Sequence, residues 1–245
     1  MANKRAHIAL LAGTAAVVLA VFIACETQDE SPAGFSVNFV GMEAGAFGLE
    51  SFVPKADNDP RMYLSNSPMA VKGDNVTVAL YDVPSDNNPD AHIAIRSAGG
   101  KVTGLNYIGC DVGDMSGGAI AEAAKEKLLR YISVPVGGAG RLSVLYKGNN
   151  KPADISEDGN HLQIAFVTEI GTVLAWQPVP IMDMDKKETA VRMLSADIKE
   201  AATVRVMFSR NGTHKPVSYP DDMSPKPDKL TGSIDVFSIT FVPAQ

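Results

Sequence analysis

From residue 35 onward, apolar and polar residues alternate in short runs that Gly, Pro, Asn and Asp interrupt. Alternation with a period of two residues is typical of strands that bury one face, and closely spaced turn residues are typical of antiparallel sheets. We therefore expect a mainly β domain over residues 35–245, an antiparallel β-sandwich of jelly-roll or Ig-like type. The pattern predicts ten strands: Phe35–Val40, Val76–Val83, His92–Ser97, Lys101–Ile108, Tyr131–Val136, Arg141–Lys147, His161–Thr168, Thr172–Trp176, Thr203–Ser209 and Ser233–Val242.

Two of these strands show which residues should face the core. In the segment 203–208 we expect a buried face made of Val204, Val206 and Phe208, and a largely exposed face made of Thr203, Arg205 and Met207. In the last strand, unbroken alternation predicts that Phe237, Ile239 and Phe241 share a face opposite Val236, Ser238 and Thr240. A shift of one residue would move each set to the other face.

A few segments depart from the strand pattern. Residues Ala119–Tyr131 are rich in Ala, Glu, Lys and Leu and predict one short inserted helix, with a second helical turn over Asp185–Leu194. The segments Gly41–Pro68 and His214–Gly232 lack a clear period and predict long surface loops. A division of the domain is expected, if anywhere, near residues 178–187.

The N-terminus has the order of an export signal. Lys4 and Arg5 precede an apolar run from Ile8 to Ala24, and acidic residues follow from Glu26. As a helix this run would measure about 25 Å, somewhat less than the roughly 30 Å of a bilayer core, so a removable signal is favoured over a permanent span. An ordinary secretory signal and a single-span anchor stay open as alternatives.

The residues Phe22-Ile23-Ala24-Cys25 resemble the lipobox of bacterial lipoproteins, although Phe22 stands where that motif usually has Leu. The resemblance implies a signal peptide over residues 1–24 and a diacylglycerol on the thiol of Cys25. Residues 25–34 would then form an acidic tether. The chain is accordingly expected in the bacterial cell envelope, in the periplasm or at the surface, held to the membrane through the lipid on Cys25.

Composition excludes several classes of protein. The chain has 245 residues, of which 45% are hydrophobic and 20% charged, so neither global disorder nor a polytopic membrane protein fits. Its formal net charge is −6, and loss of Lys4 and Arg5 with the signal would make it two units more negative. Because nucleic-acid binding requires a positive surface, we expect no nucleic-acid partner.

The sequence offers little for metal chemistry. His92, His161 and His214 lie far apart and follow no metal-ligand spacing, so no transition-metal site is predicted. Asp154, Ser156 and Asp158 are followed by Gly159, which matches the start of a calcium loop, but Ala165 occupies the place of the closing carboxylate. We expect no cofactor, with a looser calcium site at Asp154, Ser156 and Asp158 as the alternative.

No residue pattern marks a catalytic centre. Cys110 stands beside Asp111 with no histidine close in sequence, so it is expected to be a buried packing residue and not a nucleophile. No catalytic residue is predicted. Trp176 is the only tryptophan, and it is the residue on which a sugar would stack if the protein bound carbohydrate.

Part of the chain resembles cohesin-type β-sandwich modules. The similar pieces are Gly73–Val78, Val102–Leu105 with Gly113-Asp114, Gly140–Tyr146, and Ile155–Gly159 before the strand at Leu162–Val167. The resemblance implies docking of a protein partner through a sheet face and assigns no binding residue. We therefore predict a non-catalytic cell-envelope lipoprotein that acts as a protein-binding or structural module and whose protein partner is unknown. The alternatives are a carbohydrate-binding surface protein, a fibre or pilus-type subunit, and an envelope hydrolase of unrecognised type.

Overall fold

The computed structural model describes residues 32–47, 52–54, 61–64, 68–82, 93–108, 110, 112–125, 130–149, 162–180, 183, 185–186, 189–210 and 233–245. The strands are β1 (Phe35–Asn38), β2 (Phe52–Pro54), β3 (Arg61–Leu64), β4 (Met69–Gly73), β5 (Val76–Asp82), β6 (Ala94–Ala98), β7 (Lys101–Ile108), β8 (Arg130–Val136), β9 (Gly140–Gly148), β10 (Leu162–Thr168), β11 (Val173–Pro178), β12 (Val191–Ile198), β13 (Ala202–Arg210) and β14 (Ser233–Pro243). A 3₁₀ helix covers Ala44–Phe47, and the α-helix α1 covers Glu122–Lys125.

The strands form two antiparallel sheets, as the alternation predicted. The larger sheet has eight strands in the order β12-β9-β14-β7-β6-β3-β2, with β1 pairing with β14 beside β7. The smaller sheet has six strands in the order β11-β10-β13-β8-β5-β4. Each of the two sheets contains strands from before and from after residues 178–187. The expected mainly β sandwich with one short α-helix among its described residues is therefore confirmed.

The core lies between the two sheets and is almost entirely aliphatic and aromatic. Val204, Val206 and Phe208 all face it, as expected. Met207 was expected on an exposed face but is fully buried, because the segment 112–125 crosses the outer side of the smaller sheet and covers it. This second, outer cluster consists of Cys110, Val112, Met115, Ile120, Ala165, Val167 and Met207.

Strand β14 is the centre of the larger sheet, and its facing differs from the prediction. It pairs with β9 along one edge, and along the other it pairs first with β7 and then with β1. The register with β9 shifts between Val236 and Ser238, which makes Phe237 the extra residue of a β-bulge. The expected opposition of Val236 to Ile239 and Phe241 is therefore wrong, since all three face the core.

The ends of the sandwich differ in their connections. We call the near end the one where Pro32 enters and Pro243 leaves. There, the short connections 74–75, 99–100 and 169–172 join strands of the same sheet, and 137–139 and 199–201 join one sheet to the other. At the opposite or far end, the strands are joined through the longer segments 83–93, 109–129, 149–161, 179–190 and 211–232. The chain's entry and exit thus share one end, and the strands that the five longer segments connect end and begin at the other.

Close approach fixes the near end. A Cβ on Gly140 would collide with the carbonyl oxygen of Val242 and the ring of Phe241, so only glycine fits at the start of β9. Pro32 packs against Gly138, and the amide of Ala244 donates to the carbonyl oxygen of Ala139 at 3.0 Å. Both chain segments are therefore held against the β8–β9 turn.

Four of the strands were not predicted, and two predicted helices are largely absent. β2 and β3 lie in the segment Gly41–Pro68, which was expected to be a loop, and β4 follows it directly. The residues of the expected second helical turn run into strand β12, because its Leu194 packs into the core from a strand paired with β9. The predicted loop His214–Gly232 lies outside the described residues.

The predicted helix Ala119–Tyr131 is reduced to α1. Ala119 forms a bridge with Thr172, and the amide of Ile120 donates to Gly171, so this part follows the smaller sheet instead of coiling. Tyr131 belongs to β8, where it pairs with Tyr81. Tertiary contacts have overridden the local helix propensity here.

Candidate functional site on the outer face and edge of the larger sheet

The outer face of the larger sheet presents ordered rows of side chains across β12, β9 and β14. One row contains Met193, Leu145 and Ser238, and the next contains Ser195, Ser143 and Thr240. The hydroxyl oxygens of Ser143 and Ser195 are 2.9 Å apart. These small side chains leave the face flat and mostly polar, so the larger apolar side chains on it stand out.

Three exposed apolar side chains of this face lie next to one another at β12, whereas Val242 lies apart from them on β14. Val191 is 53% exposed and Met193 60%, and Leu145, which is directly opposite Met193 on β9, is 37% exposed. We call Val191, Met193 and Leu145 the β12 patch. Single exposed apolar residues are common, but adjacent ones on a strand at the edge of a sheet are typical of interaction surfaces.

Strand β12 is an edge strand with neither a bulge nor a proline, and its charged residues are Arg192 and Asp197. It pairs with β9 over eight consecutive residues with no shift in register, and no described strand lies on its other side. The other edges are blunted. β11 has a register shift and ends at Pro178, β2 has three residues and ends at Pro54, and β4 is bridged by β1 through Ser36 and Asp74. Among the described strands, β12 is the one best able to accept a further strand.

A shallow depression separates the edges of the two sheets beside β12. It is lined by Gln177, Pro178, Val179, Pro180 and Arg192. Arg192 is exposed, and its guanidinium has no hydrogen-bond or ion-pair acceptor among the described residues. The depression therefore combines apolar residues from the end of β11 and the segment that follows it with one positive charge.

The floor of this region is held by a buried tyrosine. Tyr146 of β9 points into the sandwich, and its hydroxyl accepts a hydrogen bond of 2.8 Å from the side-chain amide of Gln177 on β11. Burial raises the pKa of Tyr146 to about 12. The neutral hydroxyl thus joins the larger sheet to the edge strand of the smaller one.

A charged cluster lies on the same outer face, in the row of Val191, whose partner on β9 is Lys147. The carboxylate of Asp235 accepts a hydrogen bond of 2.9 Å from Asn106, and it lies 3.3 Å from Arg96 Nε and 4.0 Å from Lys147 Nζ. Asp235 is 4% exposed, and the ring of Phe237 lies close above the neighbouring Gly104. Because each charge here has a partner, this cluster reads as a structural feature of the face.

Trp176 lies on the other sheet, away from the β12 patch. Trp176 is 39% exposed on the outer side of β11, and Leu174 on the same strand is also 39% exposed. On the adjacent strand, Gln163 donates from its side-chain amide to Asp114 Oδ1 at 2.8 Å. The hydrogen bonds from Gln163 and then from Ser116 lower the pKa of Asp114, so an ionised carboxylate lies on the same outer face as the indole.

Cys110 is buried, as predicted, and takes part in packing. It is 2% exposed, and its sulfur accepts a hydrogen bond from the backbone amide of Arg130 at 3.2 Å. The side chain of Arg130 in turn pairs with Asp82 in the interior. Buried among Val112, Met115 and Met207, the thiol has the surroundings of a small apolar residue.

Several predicted site residues lie outside the described part of the chain. These are Cys25, the expected point of lipid attachment, and the calcium candidates Asp154, Ser156 and Asp158. Among the described residues, no group of three or more His, Cys, Asp or Glu side chains is arranged to hold a metal ion. Within those same ranges, no helix has the length and apolar character needed to cross a bilayer.

The β12 patch was missed by the sequence analysis, although its signal was present. Leu194, Ala196 and Ile198 are buried and alternate with less buried residues from Met193 to the end of β12, which is a period of two. Met, Leu and Ala are good helix formers, and the preceding residues Asp185–Thr189 favoured a helical turn. The sequence pattern alone does not show that this strand lies at the edge of a sheet.

No protein-family model matches the chain, and no curated protein matches it. Three solved structures show a weak likeness. The first is an isomalto-dextranase of Arthrobacter globiformis T6 complexed with panose, with 12% identity and a TM-score of 0.26 over 77% of this chain and 24% of that one. The second contains the CBM51-2 and INT domains of Clostridium perfringens ZmpB in complex with GlcNAc, with 9% identity and a TM-score of 0.25 over 69% of this chain and 38% of that one. The third is a family 43 arabinoxylan arabinofuranohydrolase of Bacillus subtilis in complex with cellotetraose, with 9% identity and a TM-score of 0.25 over 89% of this chain and 53% of that one. The chain thus spans about half or less of each of these proteins, and the likeness assigns it neither a family nor an activity.

Proposed function

We propose that this protein is a non-catalytic, lipid-anchored module of the bacterial cell envelope that binds a protein partner through the β12 patch. The single observation that carries the binding proposal is the exposure of Val191, Met193 and Leu145 side by side on a regular edge of the larger sheet. Burying such apolar surface contributes about 25 cal/mol per Å². A partner's surface that covers the patch would therefore gain free energy without any change in the fold.

The anchor proposal rests on the lipobox-like residues that end at Cys25. In this proposal, the lipid holds the chain to the membrane, residues 25–34 act as an acidic tether, and the sandwich presents its outer face to the partner. The mechanism in this proposal is passive, because the sequence marks no nucleophile, base and orienting group in a pattern of known catalytic type. Mass spectrometry of the protein from a bacterial envelope tests the anchor: a diacylglycerol on Cys25 supports it, and an unmodified chain that begins at Met1 overturns it.

Binding through the patch is tested by site-specific photo-crosslinking in intact cells. A photoreactive residue at Met193 is expected to capture one protein in stoichiometric amount. The same residue at Val242, which is 65% exposed on the same face but belongs to the central strand, is the matched control. With the photoreactive residue kept at position 193, Val191→Lys together with Leu145→Lys should abolish the capture, whereas equal capture from position 242 would overturn the proposal.

Carbohydrate binding is the second candidate, and the exposure of Trp176 favours it. The indole face, the nearby apolar Leu174 and the ionised Asp114 would together offer a stacking surface and an acceptor for sugar hydroxyls. Because Trp176 is the only tryptophan, its fluorescence reports directly on this surface. Titration with soluble polysaccharides should shift the emission, and binding should be lost in Trp176→Ala; an unchanged spectrum with every polysaccharide overturns this candidate.

A further inference from the structure

We infer that the partner binds β12 as an added strand and that its segment carries an acidic side chain that pairs with Arg192. This inference rests on the proposed function and names the chemistry of the partner. It combines three features of one edge: unpaired backbone groups, exposed apolar side chains on one side, and an available cation on the other.

The backbone of β12 is suited to strand addition. In an antiparallel pair, every second residue of an edge strand directs its N–H and C=O groups away from its neighbour. Across its eight residues β12 keeps a regular register with β9, so these groups are evenly spaced along a straight edge. An extended segment can bond to them in sequence, and these main-chain hydrogen bonds supply affinity with little dependence on side chains.

The side chains on the two faces of β12 determine what the added segment should contain. Val191 and Met193 lie on the outer face, so the partner's residues on that face should be apolar and should extend the row that begins with Leu145. Arg192 points to the other side, into the depression with Pro178 and Val179. A carboxylate on the partner's corresponding face would meet this guanidinium, which lacks an acceptor among the described residues.

A second copy of the chain fits this edge less well. Asp197, the one acidic residue of β12, lies on the outer face and pairs with Arg141 of β9 at 3.3 Å, so it is on the opposite side from Arg192. An antiparallel pair of two β12 strands places side chains of the same face together and would leave Arg192 opposite apolar residues. The net charge of −6 on each chain also opposes self-association.

The probe is a fluorescein-labelled nine-residue peptide in which valines alternate with serine or threonine and the central residue, on the polar face, is glutamate. Binding to the full chain in detergent is measured by anisotropy. Two matched peptides carry glutamine at the centre or methyl groups on alternate backbone nitrogens. We expect the glutamine peptide to bind about three- to fivefold more weakly than the glutamate peptide. The methylated peptide should bind at least about tenfold more weakly.

Three variants of the chain complete the test. Arg192→Gln should lower the affinity for the glutamate peptide to that for the glutamine peptide. Met193→Lys should lower the affinity for both peptides, and Val242→Lys should leave both affinities unchanged. Equal binding of all peptides, no binding of any, or a dimer in size-exclusion chromatography that Met193→Lys dissolves would each overturn the inference. If photo-crosslinking from Met193 still captures a protein and Arg192→Glu leaves that capture intact, the proposed function stands and the inference falls.

Discussion

Arg130 and Asp82 form an ion pair in the interior of the sandwich. They are cross-strand neighbours on β8 and β5, with 2.9 Å between Arg130 Nε and Asp82 Oδ1. The other carboxylate oxygen accepts the backbone amide of Ile93 at 2.9 Å, so this pair also fixes the point where the chain enters β6. Both side chains are almost fully buried. Two charges are tolerated there because each oxygen has a donor.

Breaking this pair should destabilise the protein strongly. Asp82→Ala leaves the guanidinium of Arg130 buried without its carboxylate, and we expect the free energy of unfolding to fall by about 3–5 kcal/mol. Urea denaturation followed by circular dichroism measures the change. The double variant Asp82→Leu with Arg130→Met should recover much of the loss, since it removes both charges. A double variant less stable than Asp82→Ala would contradict this account.

Tyr146 predicts a loss of stability at alkaline pH. The pKa of its hydroxyl is about 12 in the folded chain and about 10 in the unfolded chain. The unfolded state therefore loses its proton first, so the free energy of unfolding is unaffected below pH 10 and falls as the pH rises towards 12. A difference of about two units corresponds to about 3 kcal/mol. Tyr146→Phe should cost about 1 kcal/mol at pH 7 through the lost bond from Gln177. Denaturation at several pH values should show a shallower alkaline decline in this variant, and parallel curves would count against the prediction.

Gly140→Ala tests the tight contact at the near end. The added methyl group would meet the carbonyl oxygen of Val242 and the ring of Phe241, neither of which has room to move. We expect a loss of about 1–3 kcal/mol from this overpacking. Gly117→Ala is the matched control, because its Cβ would have no neighbour within 4 Å and should change stability by less than about 0.5 kcal/mol. Similar melting temperatures for the two variants would refute the contact.

Calcium should leave the melting temperature unchanged. A calcium loop that begins at Asp154 would need a closing carboxylate, and Ala165 stands in that place. Scanning calorimetry with and without millimolar calcium measures the effect, because an ion that binds the folded state raises the melting temperature. A rise that disappears in Asp158→Asn would instead establish a site in this segment.

The strand pattern was predictable where alternation is long and regular. Each of the ten predicted strands corresponds to a strand of the sandwich, because residues such as Val204 and Val206 keep a period of two over a whole strand. β2 and β3 have three and four residues, which is too short for a period to be recognised. They exist through pairing with β6 and with each other, and such pairing is not local in sequence.

The bulge and the binding edge could not be predicted for a similar reason. A prediction from alternation requires that the strand pairs without a break. At Phe237, however, the partner of β14 changes from β7 to β1, and a β-bulge inserts one extra residue. Likewise, the exposure of Met193 depends on β12 being last in its sheet. Strand order is a property of the whole topology, so neither feature leaves a signature in its own residues.

The separation of short and long connections gives the molecule room for evolutionary change. Strand β14 alone runs for eleven residues, which is about 35 Å between the two ends. The turns near the chain's entry are short and closely fitted, so mutations there would disturb pairing in both sheets. Insertions in the five longer segments would lengthen the protein between strands and leave the register of the paired strands intact. Relatives of this chain could therefore diverge in size and in what they recognise while they keep the same framework.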